Sequence, residues 1–252
     1  MSLSDSHVIL IILAGLGAGI FNGIAGGGSL ISFPILLGLG YPALTANITN
    51  TIGIWPGYLG STAGFRTEIA DQRQHLARLA PVALAGGVVG AVLLLTTSTA
   101  AFADLAPYLI LGGAALFAVQ PLLRRAFDSS PGATRARTPL LVAGMFLASV
   151  YGGYFGAGMG VMFLAILGIA LPDSLSRTSG LRSILSVMVN GIAAAVFLIH
   201  RGLAWEAVGW LALGSIVGGF IGARLVLAIP AWLLRGVVIV IGVGTAVKLL
   251  AF

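Results

Sequence analysis

Apolar residues run along this chain in long blocks with few polar interruptions, at 7–23, 29–39, 43–63, 77–97, 104–123, 139–153, 159–170, 174–199, 206–228 and 231–251. None of the blocks alternates polar and apolar at period two, which excludes the strands of a membrane barrel. Blocks of about twenty apolar residues read as helices that cross a hydrocarbon core of about 30 Å. Two blocks are too short for that. The segments 29–39 and 159–170 reach at most ~18 Å at about 1.5 Å per residue, so they predict half-helices that end inside the membrane. The pattern predicts an all-α integral membrane protein.

Composition strengthens this reading. The chain is 58% hydrophobic and only 8% charged, with a mean hydropathy of +1.08, whereas a soluble domain carries roughly 25% charged residues. So little charge cannot clothe a water-facing surface, and the bilayer is the expected partner. The net charge of +6 is assigned to basic loops that hold the cytoplasmic side and not to nucleic acid. With no cysteine in the chain, disulfides, thiolate metal sites and cysteine nucleophiles are excluded. The start, MSLSDSH, has no Lys or Arg and is a poor signal-peptide n-region, so the first helix is expected to be retained.

The chain also repeats itself. "GIAGGGSLISFPILLGLGYP" (23–42) lines up without a gap on "GYFGAGMGVMFLAILGIALP" (153–172). Gly23, Gly26, Gly28, Gly38 and Pro42 match Gly153, Gly156, Gly158, Gly168 and Pro172, all 130 positions apart. "GGVVGAVLL" (86–94) matches "GGFIGARLV" (218–226) at 132. A duplicated unit follows, with repeats over 1–123 and 139–252 joined by an arginine-rich linker, 124–138. Each repeat holds five apolar blocks, one of them short. If the first two blocks of each repeat pair as a hairpin, each repeat crosses an odd number of times. The repeats are then inverted, both termini lie outside, and the arginine-rich stretches 65–78 and 124–139 share the cytoplasmic side. The glycine-rich outer faces permit a homodimer.

Non-helical backbone at membrane depth survives only when buried in protein or lining a wet cavity. Glycines let two backbones approach closely. Half-helices starting near Ser29 and Met159 would point two positive dipole ends at the middle of the membrane, a cradle for an anion. The other glycine runs, 15–19 and 86–90, read as plain helix–helix contacts. Charge at depth points the same way. All seven acids fall in loops or near helix ends, but Arg182 lies nine residues into its helix, about 13 Å deep. With no carboxylate partner in view, a guanidinium there suits an oxyanion; bonding to unwound backbone is the alternative. Its counterpart at the 132 offset is Asn50. The candidate substrate-binding set is Asn22, Gly26, Gly27, Gly28, Ser29, Asn47, Asn50, Thr51, Gly156, Gly158, Ser179 and Arg182, with Thr49, Ser183 and Asn190 as further polar groups. No metal, cofactor or catalytic set is predicted. No histidine lies at depth to activate a serine, and no His/Asp/Glu cluster would hold a metal.

The G-x-x-G-G-G stretch before a proline-containing half-helix, "ALTANITNTIG" at 43–53, and a second half opening G-x-x-G-x-G together resemble the TauE/SafE family. This is the family of sulfite and organosulfonate exporters, also called the 4-toluene sulfonate uptake permease family. The resemblance covers most of the chain, and "SGLRSILS" (179–186) looks like the second-half stretch that carries a basic residue before a polar one. The chain departs from the pattern at G-A-G-M-G (156–160) and at Leu164, which stands opposite Pro34. The resemblance implies a plasma-membrane carrier of small sulfur-containing or related organic anions. A channel and an intramembrane enzyme are the competing readings. Because no acid lies at depth, the carrier is expected to be electrogenic or proton-independent.

Overall fold

Every apolar block becomes a helix. The computed structural model describes residues 4–24, 26–128, 138–171, 173–200, 203–225 and 231–251. In chain order the helices are α1 (Asp5–Ile24), α2 (Ser29–Gly38), α3 (Ala43–Ala63), α4 (Arg66–Ala70), α5 (Arg73–Thr96), α6 (Thr99–Asp128), α7 (Thr138–Tyr154), α8 (Met159–Ala170), α9 (Leu175–Phe197), α10 (Trp205–Leu225) and α11 (Ala231–Ala251). No strand occurs among the described residues. Five helices, α1, α5, α6, α9 and α10, are long and apolar enough by themselves to cross a membrane. α3 is as long as α10 but carries Asn47, Thr49, Asn50 and Thr51, all buried.

The polar stretch 65–78 departs from a simple connection. It folds into the short α4 and the first turn of α5. α6 likewise continues into the expected linker as far as Asp128. The rest of that linker, at 129–137, and Pro172 lie outside the described residues.

Glycines set how the helices pack. A Cβ on Gly222 would fall 2.6 Å from the Ile20 carbonyl oxygen, and Gly15 and Gly19 likewise lie on the Leu211 and Ser215 carbonyls. Residue numbers rise together along both partners, so α1 and α10 are parallel. Gly53 and Gly57 meet the same stretch of α10 at Leu211 and Ser215, which makes α3 parallel to both. Gly86 and Gly90 rest on Phe146 and Val150, so α5 and α7 are parallel, and α9 packs beside them. The contact of Gly90 with Val150 corresponds to that of Gly222 with Ile20 at the repeat offsets. Between the two groups the direction reverses. Thr62 meets Ser183 and Trp55 meets Val187, so numbers fall along α3 as they rise along α9. α3 and α9 are antiparallel.

These contacts bring backbone against backbone, where a longer side chain has nowhere to go. Gly222→Leu is expected to destabilise the detergent-solubilised protein by about 1–3 kcal/mol, read as a lower midpoint of thermal unfolding. Gly244→Leu, where a Cβ meets nothing within 4 Å, should stay within about 0.5 kcal/mol.

Candidate functional site

The two glycine breaks use one backbone device. Gly26 has φ +78° and Gly156 has φ +80°, the left-handed region that only glycine enters freely. The Gly26 N–H donates to the Phe21 carbonyl at 3.0 Å, and the Gly156 N–H to the Tyr151 carbonyl at 3.2 Å. Each pair closes the C-terminus of a long helix with the same six-residue bond, 130 positions apart. α2 then starts at Ser29 and α8 at Met159, the two positions that the apolar pattern marks. Side chains hold the turns in place. Asn22 Oδ1 accepts from the Gly28 N–H at 2.8 Å, and the Tyr151 hydroxyl donates to the Ala157 carbonyl at 2.6 Å.

The first break touches the first turn of α8. A Cβ on Gly26 would lie 2.9 Å from Gly160 Cα and 2.7 Å from Arg182 Nη1. A Cβ on Gly160 would lie 2.8 Å from Gly26 Cα and 3.2 Å from the same Nη1. The Arg182 guanidinium therefore abuts the junction of the two halves, where both half-helices begin; in their first turns the Leu30 and Ile31 amides donate to Gly27 and Gly28, and those of Met159 and Val161 to Gly156 and Gly158. Arg182 is 2% exposed. Among the described residues the salt bridge is Arg177 to Asp173, at 2.9 Å, and no carboxylate reaches Arg182. Its Nε has no hydrogen-bond partner. Tyr58, also buried, is near enough to interact with it electrostatically.

Around this cation the polar groups divide into engaged and open. Asn50 Oδ1 accepts from the Ser32 hydroxyl, which leaves its Nδ2 without a partner, as is Nδ2 of Asn22. Asn47 Nδ2 donates to the Tyr154 carbonyl at 2.9 Å, leaving Oδ1 open. Thr51 donates back to the Asn47 carbonyl at 3.0 Å and is spent within its own helix. Thr49 Oγ1 is buried without a partner. Ser29, Gly27 and Gly158 are buried in the two breaks, and Gly27 lies under the Phe117 ring of α6. Three donors, Arg182 Nε, Asn22 Nδ2 and Asn50 Nδ2, are thus buried and unbonded. A buried donor left unbonded costs about 1–3 kcal/mol.

One candidate stands apart. Ser179 is half-buried near the start of α9, and no hydrogen bond ties it to either break. Its neighbour Gly180 packs on Glu68 and Ile69 of α4. Ser183, one turn further in, instead holds Thr62 at 2.7 Å. Asn190 Nδ2 turns back to the Ser186 carbonyl. Ser32 and Tyr58 lie beside these candidates although the sequence reading did not select them, and Gly160 falls in the stretch 153–160 that it assigned to the site. Tyr58 follows Thr51 by seven residues and so shares its helix face. Ser32 gives no signal, since Met162 stands at its repeat counterpart.

The α4 connection closes over the outer end of α9. The Ser176 hydroxyl donates to Glu68 Oε1 at 3.0 Å, and Gln72 Nε2 donates to the Arg177 carbonyl at 2.6 Å. Hydrogen bonds from the Thr67 hydroxyl, from its own amide and from Ser176 hold the Glu68 carboxyl below the usual carboxylate range.

Comparison with known proteins places this arrangement. The family described as sulfite exporter TauE/SafE matches residues 11–249. A probable membrane transporter protein of Haemophilus influenzae is 27% identical over 247 residues, covering 95% of this chain and 93% of that one. The probable membrane transporter protein ORF9 of a Sinorhizobium species is 27% identical over 237 residues, 93% and 88% of the two chains. YfcA of Escherichia coli K12, also named a probable membrane transporter, is 24% identical over 242 residues, 92% and 86%. No solved structure matches. From residue 11 to residue 249 the match takes in both glycine breaks, both half-helices and Arg182, and the chain belongs to the TauE/SafE family of membrane transporters.

Proposed function

We propose that this transporter is a plasma-membrane exporter of a small sulfur oxyanion, sulfite or an organosulfonate, held between the N-termini of α2 and α8 and the guanidinium of Arg182. The observation that carries the reading is Arg182 itself, 2% exposed at the contact of Gly26 with Gly160 with Nε unpartnered. A fork of N–H donors beside two helix N-termini fits a trigonal or tetrahedral oxyanion. The family description supports sulfur chemistry and export. The antiparallel crossing of α3 and α9, counterparts in the two repeats, supports an inverted arrangement with both termini outside.

Arg182→Ala is expected to weaken sulfite binding at least about tenfold, the loss of one charge-assisted hydrogen bond, with near-normal expression. Equilibrium binding of radiolabelled sulfite to purified protein reads the change. If Arg182→Ala fails to fold while Arg182→Gln folds and transports like the parent, the arginine is a backbone brace and the proposed seat is wrong.

No acidic residue joins this set, so the membrane potential suffices as driving force. Each charge gains about 2.3 kcal/mol per 100 mV. In proteoliposomes at equal pH and sodium, an inside-negative potential should drive sulfite efflux that saturates and shows counterflow. Flux that needs a proton or sodium gradient would refute potential-driven export, and linear flux without counterflow would mark a channel.

A further inference from the structure

A second cationic feature lies on the route to this site. A pocket of about 430 Å³ opens where the end of α3, the short α4 and the start of α5 meet, and Thr62, Arg66, Ile69 and Arg73 are among its lining residues. Both arginines are exposed, and neither has a carboxylate within 4.0 Å among the described residues. The acids nearby do not line it. Glu68 is turned to α9 by its bond to Ser176, and Asp71 offers its backbone carbonyl to Arg177. The connection therefore splits its charge, with Glu68 of α4 bonded to α9 and Arg66 of α4 and Arg73 of α5 left to the pocket.

One polar contact links the pocket wall to the stretch of α9 that carries the buried arginine. Thr62, on its wall, holds Ser183 at 2.7 Å, and Ser183 is the residue next to Arg182. Tyr58, one turn deeper than Thr62 on α3, lies within electrostatic reach of Arg182. Two like charges at the mouth of a low-dielectric path raise the local concentration of anions, and such fields speed association by about 10- to 1,000-fold.

We infer that Arg66 and Arg73 form an anion-concentrating antechamber that hands small oxyanions past Thr62 and Ser183 to Arg182. This rests on the reading of Arg182 as the anion seat. The ligand class is a small mono- or dianionic oxyanion, and a lipid phosphate is the other source of the same chemistry.

The chain has no cysteine, so Ala63→Cys on the pocket wall supplies a single thiol. In phosphatidylcholine nanodiscs that thiol is labelled with the sulfonate-bearing and the trimethylammonium-bearing methanethiosulfonates. The ratio of the two rates cancels the thiol's own reactivity and reports the local potential. The ratio is expected to favour the sulfonate reagent and to drop at least about fivefold in Arg66→Gln/Arg73→Gln, within the range of such steering effects. Arg66→Lys/Arg73→Lys keeps the charge and should keep the ratio. The glutamine pair should also raise the KM for sulfite efflux by a similar factor with kcat unchanged. An unchanged ratio in the glutamine pair overturns the antechamber. So does a ratio that collapses when phosphatidylglycerol is added to the nanodisc, which marks a lipid headgroup seat. An unchanged KM in a protein that carries sulfite overturns the delivery step. If no variant carries sulfite, the proposed substrate is wrong, and the antechamber still stands or falls on the labelling ratio.

Discussion

The unwound backbone at Gly26 is pressed against the first turn of α8 in the interior of a chain that lives in lipid, and the rest of the structure answers to that contact. Peptide groups released from a helix have no water to turn to at this depth. At Gly26 and Gly160 the chains meet where a Cβ on either would fall within 3.0 Å of the other's Cα. Such an approach is open only to glycine, and it fixes which ends of α2 and α8 face one another. Asn22 and the Tyr151 hydroxyl each stitch one break shut from its own helix. The long helices α1 and α7 are then bound to end where they do, by the same bond to Phe21 and to Tyr151.

Much of this was legible in the sequence because it follows from period and solvent. The length of an apolar block states whether a helix can span, and α2 and α8 begin at the residues where the short blocks begin. The shared spacing of Gly26 with Gly156 reappears as one backbone conformation at both places. The part that was not legible concerns partners across the fold. Nothing local says that Ser32 will occupy the carbonyl of Asn50 and leave its amide open, or that Ser183 and not Ser179 will reach across to α3. Polar stretches mislead for a related reason. Residues 65–78 look like loop because they are charged, yet they fold into α4 and the start of α5, with Arg66 and Arg73 in a pocket and Glu68 on α9.

The buried arginine is compatible with this interior because of where it sits. A lone cation in low dielectric is costly, and Arg182 has no carboxylate to offset it. Helix N-termini alone would repel it, since they are positive. Two positive dipole ends, a guanidinium and two open amide donors make a set that is poorly satisfied when empty and well satisfied around an anion. The same set disfavours a cation substrate, which would meet only the carbonyl of Asn47 and the hydroxyl of Thr49.

The packing divides into contacts of two kinds, and the division bears on movement. Within the group α1, α3 and α10, and again between α5 and α7, helices touch backbone to backbone at glycines. Such seams have no soft side chains to rearrange and behave as rigid bodies. Between the groups the glycine contact is that of Gly26 with Gly160, and the rest runs through side chains, with Phe33 edge-on to Phe155 and the polar bonds of Trp55 to Val187, Thr62 to Ser183 and Asn47 to Tyr154. Each polar bond is worth about 0.5–1.5 kcal/mol and can be exchanged for another without opening a cavity. The proposed anion seat lies on this boundary, with half-helices from both sides. One group rocking against the other would therefore change which face of the membrane the seat sees, while each bundle keeps its shape. A shift of this kind needs only that a bound anion prefer one arrangement, because a ligand moves an equilibrium by its differential affinity alone.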